Sequence, residues 1–289
     1  MTAPAARVET PALSGNAWGP LAVTLVAYAV LFAQPFALLL GDWWNNPDAG
    51  HGLLLAPVAI WLVWRSRGEV VLDPNPRVGA TLLVAAVLLR FASGLAAELF
   101  TMRVSMLMAL VGLAVWAAGF RQVIRWWLPI VLLGLSIPLP EVLINSIALP
   151  LQLQASKMGA ALLETRHVPI RLDGNVILLP GHRLFVTEAC SGLRSLTALL
   201  SLGVLAGGLW LQTVGTRFVL LAAAIPVAVV LNGIRVFLTG FLVFFVDPKL
   251  GDGFMHLTEG WLLFVVAFGL LGLLAWLLSS VEAKWLRRA

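Results

Sequence analysis

The chain has 289 residues, of which 60% are hydrophobic and 11% charged, and its mean hydropathy is +0.95. A soluble domain carries roughly 25% charged residues, so this chain has too few charges to cover a water-facing surface. Its long apolar runs predict one compact helical membrane domain. The net charge of +5 does not indicate a nucleic-acid partner, because the basic residues are scattered between apolar runs and form no patch.

Residues 1–17 hold Arg7 and Glu9 and read as a cytoplasmic tail. The apolar run from Trp18 to Leu40 is 23 residues long, a spanning length, and reads as an uncleaved anchor. Eight candidate spans follow in chain order, at 18–40, 51–64, 78–97, 103–118, 124–139, 191–211, 217–236 (or on to 246) and 256–280. The second and fifth are short for a span. The expected fold is thus an all-α polytopic membrane protein, with residues 18–281 as one catalytic domain and 282–289 as a second tail.

Short loops rich in Lys and Arg lie in the cytoplasm. Arg65, Arg67, Arg77, Arg121, Arg125 and Arg217 fall in one set of alternate loops, and only Arg103 and Lys249 in the other. Both termini are therefore expected inside, with Lys284, Arg287 and Arg288 in the C-terminal tail. Trp43, Trp44, Trp126 and Trp127 fall at span ends, as an interfacial aromatic belt would have them.

The outer segment begins with 141–164, which is too polar for a span and reads as an amphipathic helix at the outer interface. Beyond it Val168, Ile170 and Leu172 alternate up to Asp173-Gly174, and Val176 and Leu178 lead on to Pro180-Gly181. Asp-Gly between alternating runs signals a hairpin. A small extracytoplasmic β-hairpin, of two or three strands, is expected before the sixth span.

Cys190 is the only cysteine, which excludes an internal disulfide. It sits where the hairpin gives way to the sixth span, and a helix N-terminus favours a thiolate. Arg194 follows one turn later on the same face, with Glu188 and Ser191 beside the cysteine. A lone cysteine is otherwise a small buried hydrophobe. Asn232 and Arg235 share a face of the seventh span, and an ionisable residue within a span usually faces the bundle interior and has a role. His256 opens the last span, with Glu259 three residues on to orient its imidazole. His256 and Glu259 lack a third metal ligand, so no metal or cofactor is expected. His51 begins the second span, and His167 and His182 stand in polar outer segments. A thiol, an arginine and a histidine from three helices at one depth supply the nucleophile, oxyanion and proton-transfer roles of acyl transfer.

The block Glu188-Ala189-Cys190-Ser191-Gly192-Leu193-Arg194-Ser195 resembles that of the exosortase/archaeosortase family, as do Asn232-Gly233-Ile234-Arg235 and His256 with Gly260. Gly50-His51-Gly52-Leu53, Leu149-Pro150-Leu151-Gln152 and Gly174-Asn175-Val176-Ile177 fit as well, so the likeness runs from about residue 20 almost to the end. The resemblance implies a membrane-embedded cysteine transpeptidase or protease that removes C-terminal sorting tails from secreted proteins (PEP-CTERM-like) at the outer face of the inner membrane. Cys190, Arg235 and His256 would be catalytic, and Arg194 would tune the cysteine or brace it. The acyl group would pass to water, an amine or a membrane lipid, and polysaccharide synthesis would accompany the activity. Two rivals stand on the residues alone: a membrane acyltransferase using Cys190, and a transporter of an anion or lipid intermediate bound by Arg194 and Arg235.

Overall fold

A computed structural model of the chain describes residues 18–46, 48–70, 72–186, 193–247 and 254–287, without the side chains of 18, 20, 21, 193–195, 254–261 and 264. The helices are α1 (Trp18–Asn45), α2 (Gly52–Arg65), α3 (Pro76–Leu95), α4 (Leu99–Ala118), α5 (Phe120–Arg125), α6 (Trp127–Leu135), α7 (Glu141–Glu164), α8 (Leu193–Trp210), α9 (Val214–Phe245) and α10 (Phe254–Leu286). The strands are β1 (Arg171–Asp173), β2 (Val176–Leu179) and β3 (His182–Phe185).

Among the described residues, five helices are long and apolar enough to cross a membrane: Ala22–Asn45, Pro76–Leu95, Leu99–Ala118, Val214–Phe245 and Val265–Leu286. Helix α8, with 18 residues, reaches the lower end of spanning length, while α2 is shorter, with 14. The expected span at 124–139 is broken at Trp126 into α5 and α6. Pro129 accounts for the break, because restarting the helix at Trp127 puts the proline in a first turn, where its missing N–H is not needed. The seventh span takes the longer of its two expected lengths, as one helix of 32 residues with Pro226 inside it.

Long-range contacts sort the helix ends. The Asp73 and Asn75 amides donate to the Ala118 and Val115 carbonyls, closing the α3–α4 hairpin. Trp126 Nε1 donates to Ser66 Oγ at 2.9 Å, joining the end of α2 to the start of α6. The Arg217 guanidinium lies 4.9 Å from the Trp127 ring and donates to the Leu211 carbonyl at 2.7 Å. Glu282 reaches the α8–α9 turn. Arg65, Arg67, Arg77, Arg121, Arg125, Arg217 and Lys284 therefore gather at one end of the bundle, the arrangement their loop positions predict.

Of the tryptophans expected as a belt, Trp43 is instead buried at 6% exposure. Its indole N–H donates to the Ser136 carbonyl at 2.7 Å, and its ring lies where any side chain at residue 52 would stand, so Gly52 makes its seat. Trp44 is 80% exposed and fits the belt.

Residues 141–164 form one continuous helix, α7, packed along α9. Met158 lies against Gly233, Gly159 against Val236 and Leu163 against Gly240, so the two helices run in the same direction. Small residues at the contact let the backbones approach closely, the usual device where apolar burial cannot drive helix association. The expected hairpin is a three-stranded antiparallel meander in the order β1-β2-β3. Gly174 and Gly181 take positive φ, +60° and +78°, in the two-residue loops at Gly174-Asn175 and Pro180-Gly181 that the pairings Asp173↔Val176 and Leu179↔His182 leave. Ile177, Leu179 and Val186 share one core cluster with Ala155, Leu163 and Val236, and one face of the sheet is buried against α7.

Candidate active site

Helices α8, α9 and α10 pack against one another in all three pairings. Their polarity is fixed at one end, where the carboxylate of Glu282 in α10 accepts from the Gln212 amide at 2.9 Å and the Thr216 hydroxyl at 3.1 Å. The C-terminus of α8, the N-terminus of α9 and the C-terminus of α10 meet there. The opposite end accordingly joins the start of α8, the second half of α9 and the start of α10. Arg194, Arg235 and His256 all fall in those halves. At about 1.5 Å per residue, Arg194 stands about 24 Å from Trp210, Arg235 about 32 Å from Val214 and His256 about 39 Å from Glu282 along their helices.

On α9, Asn232 is buried at 6% exposure and Arg235 is half-buried. Both are engaged in interactions. Thr239, one turn on, donates its hydroxyl to the Arg235 carbonyl at 3.0 Å. This polar face adjoins Val236, which packs in the cluster that also contains Val186, the last described residue after β3. Cys190, Glu188 and Ser191 lie outside the described residues, as do the side chains of Arg194, His256 and Glu259.

The remaining histidines separate by environment. His51 Nε2 lies 3.1 Å from the Leu135 carbonyl, tying the start of α2 to the end of α6. His167 and His182 are exposed, as expected. Among the described residues no group of three His, Cys, Asp or Glu side chains could hold a metal ion.

Two polar links were not foreseen. Arg103 is not a loop residue: it lies within α4, is 3% exposed and bonds Asp42 at the end of α1 at 2.6 Å. Beside it Glu98 caps α4, and its bonds to Thr101, the side chain first, hold its carboxyl below the ordinary range. The second link joins Asn175, in the first sheet loop, to Gln152 of α7 and to Val186. A charge beside a long apolar run, as Arg103 is, is a signal available in sequence. The pairing of Gln152 with Asn175 carries no such signal.

A family model described as transmembrane exosortase matches residues 43–273. No curated protein and no solved structure matches the chain. The matched stretch covers most of the chain and takes in α2 to α9, the sheet, and all three of Cys190, Arg235 and His256, and the chain belongs to the transmembrane exosortase family.

Proposed function

We propose that this protein is a membrane-embedded cysteine transpeptidase or protease that removes C-terminal sorting signals from exported proteins. The observation that carries the reading is the family match over residues 43–273. The shared end of α8, α9 and α10, with Arg194, Arg235 and His256 in the adjoining halves, supports it. The basic residues gathered at the other end favour a multi-pass inner-membrane protein with cytoplasmic termini and a site on the outer side.

In this mechanism the Cys190 thiolate attacks the scissile carbonyl carbon and a C–S bond forms. Arg235 stabilises the oxyanion. Collapse breaks the C–N bond, and His256 delivers a proton to the departing amine. The thioester is then attacked by water, by an amine or by a lipid acceptor, which gives its proton to His256 and regenerates the thiolate. Glu259 orients His256, while Glu188, Arg194 and Asn232 shape the charge around the thiol. The reaction draws on no cofactor.

The test is tail removal from a model exported protein that carries a short motif, an apolar helix and terminal basic residues. Wild type removes the tail, seen as a mass shift, while Cys190→Ala and Cys190→Ser insert normally and leave it intact. Removal of the tail by Cys190→Ala refutes the nucleophile.

A further inference from the structure

We propose that Arg90 and Gln34, with the apolar groove that leads away from them along α1, form a seat for one phospholipid: its phosphate on the two side chains and an acyl chain in the groove. The inference is independent of the chemistry at Cys190.

The groove is lined by Ala22, Val23, Val26, Ala27, Val30 and Leu31. Ala27, Val30 and Gln34 follow one another at helical spacing, so Gln34 stands on the same stripe one turn beyond the groove. Pro35 lies inside α1 and has no N–H, so the Leu31 carbonyl lacks its helical donor. Arg90 of α3 takes that place. Its Nε donates to the Leu31 carbonyl at 3.4 Å and its Nη2 to Gln34 Oε1 at 3.1 Å. Its Nη1 reaches over Gly94, where an added Cβ would stand 3.1 Å from it. The guanidinium is thus turned toward the end of α3 at Leu95, opposite the end that gathers the basic residues.

A guanidinium has several N–H donors and no acceptor, and a side-chain amide adds its own NH2. The two bonds above leave the Nη1 group of Arg90 and the Nε2 group of Gln34 without a partner among the described residues, and Arg90 forms no ion pair among them. Gln34 is exposed and Arg90 half-buried, on two helices long and apolar enough to span. Donors without an acceptor are costly at such a depth, so the pair calls for an anion that the described chain does not supply. Phosphate is the anion a bilayer offers, and arginine meets it with paired donors. The groove selects its source. From Ala22 to Leu31 the helix rises about 14 Å, close to half of a hydrocarbon core about 30 Å thick. That is the depth one leaflet's acyl chains reach, and a free phosphate ion has no use for it. The headgroup then lies in the leaflet opposite the basic residues.

A lipid that binds the folded chain raises its stability, so the experiment follows the melting temperature of the purified full chain in an uncharged detergent as lipid is added. Phosphatidylglycerol is compared with a diacylglycerol of the same chains and with glycerol phosphate. The variants are Arg90→Gln, which keeps a donor for the Leu31 carbonyl but no charge, and Ala27→Phe, which fills the groove and leaves Arg90 in place. Wild type gains stability with phosphatidylglycerol and with neither of its parts. Arg90→Gln weakens the apparent affinity by about tenfold, as the loss of a charge-assisted contact does. Ala27→Phe weakens it by about fourfold, the effect of one displaced methylene. An Arg90→Gln response equal to wild type overturns the inference, as does stabilisation by glycerol phosphate alone, which would make this a site for a free anion. Loss in Arg90→Gln with none in Ala27→Phe also overturns it, because the arginine would then meet headgroups with no chain seated. A wild type that ignores lipid and runs as a dimer split by Ala27→Phe gives the groove to a second copy and overturns it as well.

Discussion

The two ends of the α8–α9–α10 bundle are built on opposite terms. At the end that gathers the basic residues, the polar groups close on themselves: Glu282 takes up the amides and hydroxyl of the α8–α9 turn, and Arg217 takes up the Gly207 and Leu211 carbonyls while its face rests on Trp127. Each charge there satisfies backbone that a helix end leaves open. At the other end a small sheet is packed onto α7 and shares a core cluster with α9, and the second half of α9 carries Asn232 and Arg235. The first end solves the problem of burying a turn between helices. The second places an arginine and a buried asparagine within an apolar helix, and an ionisable residue in such a helix usually has a role.

Replacing one charge at each end should break this contrast in different ways. Arg235→Lys and Arg235→Ala should lower the rate of tail removal by about 10²–10³, the usual cost of an oxyanion donor, with insertion and melting little changed. Loss of folded protein in Arg235→Lys, rather than loss of rate, would mean that the arginine serves the bundle and not the reaction. Glu282→Ala should do the reverse. It leaves the part-buried Gln212 and Thr213 amides without this acceptor, a cost of about 1 kcal/mol, read as a lower melting temperature in detergent, while Cys190 alkylation in the surviving folded protein stays at the wild-type rate. The smallest effect belongs to Glu98. Its carboxyl is held below its ordinary pKa by Thr101 first and by Phe100 after it. That stabilisation is full above the unfolded pKa and is lost as pH falls through the lowered folded one. Glu98→Ala should cost at most about 1 kcal/mol as a lost cap near solvent and should flatten the acid side of a melting-against-pH curve.

What could be read from sequence follows the range of the interactions. The sheet turns were legible because Asp173-Gly174 and Pro180-Gly181 carry their geometry locally. The alternation of apolar and basic runs likewise foretold which arginines share an end. The break at Trp126 had its signal in Pro129, although the apolar run across it reads as continuous. Packing of α7 along α9 was hidden, because Gly159, Gly233 and Gly240 make sense only as a pair of facing surfaces. Arg103 with Asp42, and Gln152 with Asn175, are side-chain links between distant elements and leave no periodic trace. At the candidate site, order along the chain suggested convergence of Cys190, Arg235 and His256. The structure contributes the bundle geometry of α8, α9 and α10 and the route of the chain as far as Val186.

The central claim is a covalent step at Cys190, and the most direct measurement is the intact mass of the protein after mixing with a tailed substrate and rapid quenching. The account predicts an adduct at Cys190 equal in mass to the substrate portion before the cut, released by hydroxylamine as a thioester would be and absent in Cys190→Ala. Tail removal at full rate with no adduct, persisting in Cys190→Ala, would contradict it.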